Sequence, residues 1–346
     1  ADPLNSQDDV ICTFVNAPEP ATITVIKNSS GGDDTFDFAW GSSTNSPATA
    51  FSLTTSGGTA TTDPVIVVDT GLGDTDFFIA EDLTQNPDWE FSTATCVNEA
   101  DQPIGTLDDS SPPVFAMTDI TLNAGDDIVC TFNNAKKGTV NIVKQTVGGN
   151  NTFGYSTTLP GTPTFTLMTT NLMSEPETRT VSAGSYTVTE DVIPTGWQFT
   201  SVACTEVGGI ENSTVLGTVV TLNVEDGETI TCTYLNTADG VIITDKVTNP
   251  SGSDQSFTFS PCWGADFALT DAADPNNSGF LTPGEYSVSE TVPEGWDLTD
   301  TTCTGMPGNT DEDPAAIDLN PGETVTCVFT NTQRGNIQVV KAITID

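Results

Sequence analysis

Apolar and polar residues alternate in short runs along most of the chain. The runs ATITVIK (21–27), TVNIVK (139–144) and VIITDK (241–246) are rich in Val, Ile and Thr, and each ends on a lysine. Each is followed by an aromatic alternation, TFDFAW, TFGYST or SFTFSPCW, and later by a run leading to an acid, FFIAED, YTVTED or YSVSET. A period of two places successive side chains on opposite faces of an extended strand, and β-branched and aromatic residues suit that surface. Gly, Pro, Asn and Asp clusters bound the runs as turns. No stretch sustains a helical period, so the pattern predicts strands throughout.

The runs recur in a fixed order. After the acid comes a turn and a tryptophan (Trp89, Trp197, Trp296), then a cysteine seven residues later (Cys96, Cys204, Cys303). Each body closes on LNAGDDIVCTFNN, LNVEDGETITCTYLN or LNPGETVTCVFTN. The opening lysines lie 117, 102 and 95 residues apart, so the length differences are loop insertions. Bodies of this size with about seven short strands predict an all-β chain of three tandem immunoglobulin-like β-sandwiches. Their expected spans are 17–135, 136–238 and 239–333. Residues 1–16 match a closing strand whose body is missing, and 334–346 match an opening strand with no body after it. The chain is then either an excerpt of a longer array or a subunit that exchanges strands with copies of itself end to end. A junction built by exchange would lack its middle strands and an acid, which favours the excerpt.

Composition narrows the function classes. The 346 residues hold 48 Asp and Glu against 8 Lys and Arg, with no His, for a formal net charge of −40. Such a field repels phosphates and anionic lipid, so neither nucleic acid nor a membrane surface is an expected partner. No apolar run approaches the roughly 18 residues of a membrane helix, so this segment is not expected to insert. Without histidine, the commonest general base and metal ligand are missing. Nothing resembles a Ser/His/Asp or Cys/His set, so an enzyme with substrate turnover is not expected. The 8 cysteines sit singly, without CxxC spacing, which points to an oxidising space outside the cell. Cys96 with Cys130, Cys204 with Cys232 and Cys303 with Cys327 recur at equivalent places and are expected to pair, the competing reading being buried free thiols. Cys12 and Cys262 remain unassigned; a bridge between them at an end-to-end contact is one arrangement.

The lysines pose a sharper question. Of six, Lys27, Lys144, Lys246 and Lys341 hold one repeat position, while Lys136 and Lys137 lie in a linker. Each follows by ten or eleven residues an asparagine (Asn16, Asn134, Asn236, Asn331) that stands four residues past a closing-strand cysteine. If first and last strands are neighbours, amine meets carboxamide, and Glu81, Glu190 or Glu290 supplies a third member. Burial disfavours charge, lowering a lysine pKa and raising that of a glutamate. A neutral amine can then attack the side-chain carbonyl while the acid polarises it and moves protons. The product is a Lys–Asn isopeptide bond, formed once. The competing reading is four surface lysines at strand ends and four turn-forming asparagines.

These residues resemble a known family. A lysine in the first strand, Tyr-x-x-x-Glu before a Pro-Gly-aromatic turn (YTVTEDVIPTGW, 186–197; YSVSETVPEGW, 286–296) and Asn-Thr in the last strand (LNT, TNT) are similar to Cna B-type, SpaA-like domains with a prealbumin-like fold, found in bacterial surface adhesins and pilus shafts. The resemblance implies one self-formed bond per domain: Lys27–Asn134 with Glu81, Lys144–Asn236 with Glu190, and Lys246–Asn331 with Glu290. Lys341 and Asn16 would be an intersubunit pair if copies join. The first body departs from the pattern, reading FFIAEDLTQNPDW and ending NNA.

The favoured function is a structural repeat segment of an extracellular filament, stalk or pilus-like fibre, with copies of itself or adjoining repeats as partners. Two alternatives stand beside it. One is a surface adhesin or carbohydrate-binding array, for which the insertions 41–76 and 156–180 are candidates; it needs exposed aromatics, and the only obvious ones, Trp40 and Trp263, are expected rather to pack in the core. The other is a calcium-stabilised surface protein using Asp33, Asp34, Asp69, Asp74, Asp76, Asp126, Asp127, Asp311 and Asp313; these lack the spacing of an EF-hand, and solvated acidic faces are the plainer reading. No other cofactor is expected. Sequons at Asn28, Asn150, Asn212 and Asn276 fall in expected loops and are glycosylation candidates.

Overall fold

The alternation resolves into strands that bury every second residue. In Ala21–Ser30 the inward positions are Ala21, Ile23, Val25, Lys27 and Ser29, and the remaining ones, up to Asn28, are half-buried. Strands Gly138–Val147 and Val241–Asn249 repeat the scheme in the second and third bodies. The computed structural model describes residues 19–42, 45–63, 66–68, 74–308 and 310–342. Cys12, Asn16, Asp69, the side chain of Asp74 and the expected partial domain 1–16 lie outside the described residues.

Each body is a two-sheet sandwich with one topology. The opening strand pairs in parallel with the closing strand, Asp127–Lys136, Thr229–Ala238 or Thr324–Gln333. The closing strand pairs on its other side, antiparallel, with the strand that begins at the tryptophan: Trp89–Val97, Trp197–Val207 or Trp296–Met306. The closing strand is therefore interior to its sheet, and its inward residues run Ile128, Cys130, Phe132, Asn134 in the first body. The facing sheet carries the aromatic strand (Thr35–Ser42, Thr152–Thr157, Phe257–Pro261) against the acid strand (Asp74–Asp82, Gly184–Val192, Val288–Thr291). In the third body this sheet is broken, and Gly284–Tyr286 pairs separately with Ile317–Leu319. Sheets with one buried face must pack on a partner sheet, and each pair encloses its own cluster of apolar side chains.

The disulfides Cys96–Cys130, Cys204–Cys232 and Cys303–Cys327 bridge residues directly opposite each other on the tryptophan and closing strands. Cys262 is an exposed free thiol. Residues 334–342 carry no strand, and Ile337, Val339 and Val340 are 92%, 89% and 78% exposed. No helix is long and apolar enough to cross a membrane among the described residues.

One expectation needs correcting. Asn28 lies within the first opening strand, with its amide donating to Asn133 Oδ1 at 2.9 Å, and Asn276 lies in the two-residue strand Asn276–Asn277. These sequons sit in sheet, where β-propensity and pairing override the turn preference of asparagine. Trp40 and Trp263 are half-buried and packed against their core clusters, as expected of them. Trp40 stacks on Phe77 with 5.6 Å between centroids, and Trp263 meets Tyr286 edge-on.

Candidate functional site

Inside each sandwich three polar side chains occupy inward positions that the strand period otherwise gives to apolar residues. Lys27, Glu81 and Asn134 do so in the first body, Lys144, Glu190 and Asn236 in the second, and Lys246 and Asn331 in the third. The side chain of Glu290 completes the third set and is fully shielded. The parallel register fixes the meeting: Lys27 stands opposite Phe132, Lys144 opposite Tyr234 and Lys246 opposite Phe329. Asparagine follows two positions later, on the same face.

The contacts are short. Lys144 Nζ donates to Asn236 Oδ1 at 2.7 Å and to Tyr234 O at 3.1 Å, and lies 3.1 Å from Glu190 Oε1. Lys246 Nζ donates to Asn331 Oδ1 at 2.9 Å, Phe329 O at 2.8 Å and Val247 O at 2.9 Å, with Glu290 Oε1 at 3.5 Å. Lys27 Nζ lies 2.9 Å from Glu81 Oε1. There the amide is turned: Asn134 Nδ2 donates to Glu81 Oε1 at 2.9 Å, and Asn134 Oδ1 has no partner. In the other two bodies it is the amide nitrogen, Nδ2 of Asn236 and Asn331, that has no partner.

Electrostatics follow from this burial. Desolvation lowers Lys27 and Lys144 to about 8 against the attraction of Glu81 and Glu190, and it lowers Lys246 as well. Desolvation also raises Glu81 and Glu290 above the usual carboxylate range, opposed by the neighbouring lysine. Removing two charges from water costs several kcal/mol per ion, so such a pair is poor evidence for stability by itself. At pH 7 an amine with a pKa of about 8 is neutral in roughly one molecule in ten, against fewer than one in a thousand at its ordinary value.

The floor of each site went unrecognised in the sequence. Lys27 Nζ sits 4.5 Å from the ring centre of Phe36, Lys144 4.5 Å from Phe153 and Lys246 4.2 Å from Phe257. The signal was present, since each is the first aromatic of its aromatic run. Tyr155 was missed too: its hydroxyl donates to Glu190 Oε1 at 3.1 Å, where the other bodies have Phe38 and Phe259. Lys341 is exposed and contacts none of these sets.

The aspartates considered for calcium are largely engaged locally. Asp33 accepts from Gly57 N and Gly58 N, Asp34 from Thr35 N and Trp89 Nε1, and Asp126 from Asn123 N. Asp127 accepts from Thr22 Oγ1, and Asp313 from Ala315 N. Among the described residues no group of three or more His, Cys, Asp or Glu is arranged to hold a metal ion.

No curated protein matches the chain by sequence. Among solved structures it is similar to the TIE protein of Bacillus anthracis, at 16% identity and a TM-score of 0.31, covering 91% of this chain and 51% of that one. The chain thus spans about half the length of that protein. It is also similar to the major pilin T-13 of Streptococcus pyogenes, at 14% identity and TM-score 0.26, covering 57% of this chain and 98% of the pilin. A Mobiluncus mulieris adhesin containing intramolecular disulfide, isopeptide and ester bond cross-links matches at 13% identity and TM-score 0.25, covering 60% of this chain and 86% of the adhesin. The model of the SpaA-type prealbumin-like fold domain matches three times, over residues 23–136, 140–238 and 242–333. With its three sandwiches accounted for by that match, the chain belongs to the SpaA-type family of prealbumin-like fold domains.

Proposed function

We propose that the chain is a load-bearing segment of an extracellular filament, stalk or pilus-like fibre, in which each repeat closes itself with a Lys–Asn isopeptide bond. The observation that carries this reading is one buried amine–carboxamide–carboxylate set occurring three times between strands at the two ends of a domain. In the reaction the neutral Nζ attacks the asparagine Cγ, and the Nζ–Cγ bond forms. The protonated glutamate protonates the carbonyl oxygen, takes the second amine proton and passes it to Nδ2, which leaves as ammonia when the Cγ–Nδ2 bond breaks, and it recovers its own proton from the oxygen as the carbonyl re-forms. Glu81, Glu190 and Glu290 shuttle protons and are restored. The bonds are Lys27–Asn134, Lys144–Asn236 and Lys246–Asn331.

Tension entering at an opening strand would then pass to the closing strand through covalent bonds. Only the ten residues from each asparagine to the next lysine stay extensible, by at most about 3.3–3.6 Å each. Intact mass of the fully reduced protein tests the chemistry: a deficit of three ammonia masses is expected, and an unmodified mass overturns it.

A further inference from the structure

Successive sandwiches touch backbone to backbone at one equivalent place. In the first body Gly31, four residues after Lys27, lies in the turn between opening and aromatic strands with φ +82°. It faces Gly227 of the second body, φ +70°, in the turn before the closing strand. A methyl carbon on Gly227 would sit 1.9 Å from Gly31 O, and one on Gly31 would sit 2.4 Å from Asp226 C. The next junction repeats this. Gly148, four residues after Lys144, has φ +90° and faces Gly322, φ +70°, and a methyl carbon on Gly322 would sit 1.8 Å from Gly148 O. Both members of each pair are glycine for two separate reasons, a left-handed backbone and the absence of room for any Cβ.

We propose that this glycine pair is the docking surface between successive repeats, and that the partner it fits is the glycine turn of a preceding prealbumin-like body. The receiving turn is built before anything docks. In the second body Gly227 N donates to Lys136 O at 2.8 Å, and in the first the equivalent Gly125 N donates to Glu19 O at 3.0 Å, although no repeat precedes it among the described residues. Flanking contacts fix the approach at the two junctions. Ser182 Oγ donates to Glu90 Oε1 at 2.6 Å across the first, and the Phe280 ring lies against Gly196 across the second. Two turns pressed together leave no side chain whose rotation could relax the angle. A fixed angle per repeat follows, whether or not the isopeptide bonds form.

The test uses the whole chain with Cys12 and Cys262 replaced by serine and nitroxides placed at Gln85→Cys and Val215→Cys, one on each side of the first junction. Pulsed electron–electron resonance is expected to give one narrow distance peak for this parent. Gly227→Ala should shift the peak or widen it at least twofold. Gly125→Ala, at the same turn with φ +83° but with no repeat docked on it among the described residues, should leave it unchanged. If Gly227→Ala fails to fold, Gly31→Ala on the opposite face must show the same widening. A parent-like peak in both Gly227→Ala and Gly31→Ala overturns the proposal, as does equal widening in Gly125→Ala, which would trace the effect to turn strain.

Discussion

Replacing Asn236 by alanine removes the carbonyl that Lys144 is proposed to attack and so isolates the thermodynamic value of one cross-link. Lys144 and Asn236 are 92 residues apart, and the disulfide between Cys204 and Cys232 short-circuits 28 of them, leaving a closed loop of about 64 residues. Loop entropy depends on the logarithm of length, so the disulfide trims the effect by only a few tenths of a kcal/mol, and the expected loss is about 4 kcal/mol. For a domain of this size that is a fall of roughly 15–30 °C in the Tm of the second repeat. Scanning calorimetry of parent and variant, with intact mass recorded on the same samples, measures it. The variant should lose one ammonia deficit and one high-temperature transition together. A transition within about 3 °C of the parent, despite a lost cross-link, would refute the loop-entropy reasoning. A parent without the mass deficit would refute the bond itself.

Glu290→Gln should leave the third repeat uncross-linked, seen as one fewer ammonia deficit and as separate Lys246 and Asn331 peptides after digestion. An Asn134→Ala chain keeps Lys27 titratable. Its native pKa of about 8 lies below the unfolded 10.5, so the unfolded state binds more protons in that window, and stability of the first repeat should rise from about pH 8 to 10.5. Glu81, raised in the fold, works oppositely in the acid range, where stability should fall as pH climbs through its unfolded value. Denaturant midpoints across pH read both, and the cross-linked parent should lose the Lys27 slope while keeping the one from Glu81, which the reaction does not consume. The pair Cys204→Ala with Cys232→Ala opens a 28-residue loop and should cost about 3 kcal/mol, read as a lower Tm of the second repeat with its mass deficit intact.

Much of this architecture could be read from the chain because strand period and turn residues agree with the fold. Cysteine pairs seven residues past a tryptophan and four before an asparagine became neighbours because sheet register carries such spacings directly into space. The lysines were legible as a set because cations are scarce in this sequence. What escaped included the aromatic contacts from the facing sheet, although the acids of that sheet, Glu81, Glu190 and Glu290, were placed in the sets. No spacing within a strand says that Phe36 floors the site of Lys27, or that Tyr155 reaches Glu190, since those contacts cross between sheets. Asn28 reads as a turn residue locally but is held by Asn133 on the parallel neighbour. Glu228 and Glu323, acids of the turns before the closing strands, are buried at 0% and 3% exposure and brace those turns by accepting from Glu225 N and Asn320 N. In an acidic chain nothing marked them apart from their solvated neighbours.

The parallel pairing of first and last strands also sets how a domain meets force. Nine successive residues from Thr22 to Ser30 lie beside Asp127 to Ala135, both strands running the same way. A molecule gripped at its two ends is thus dragged along the strand axis in opposite senses, in shear. The rungs of the ladder strain together, where a hairpin peeled from one tip would release them in turn. Even a repeat whose chemistry never completed would resist stretching by many bonds at once.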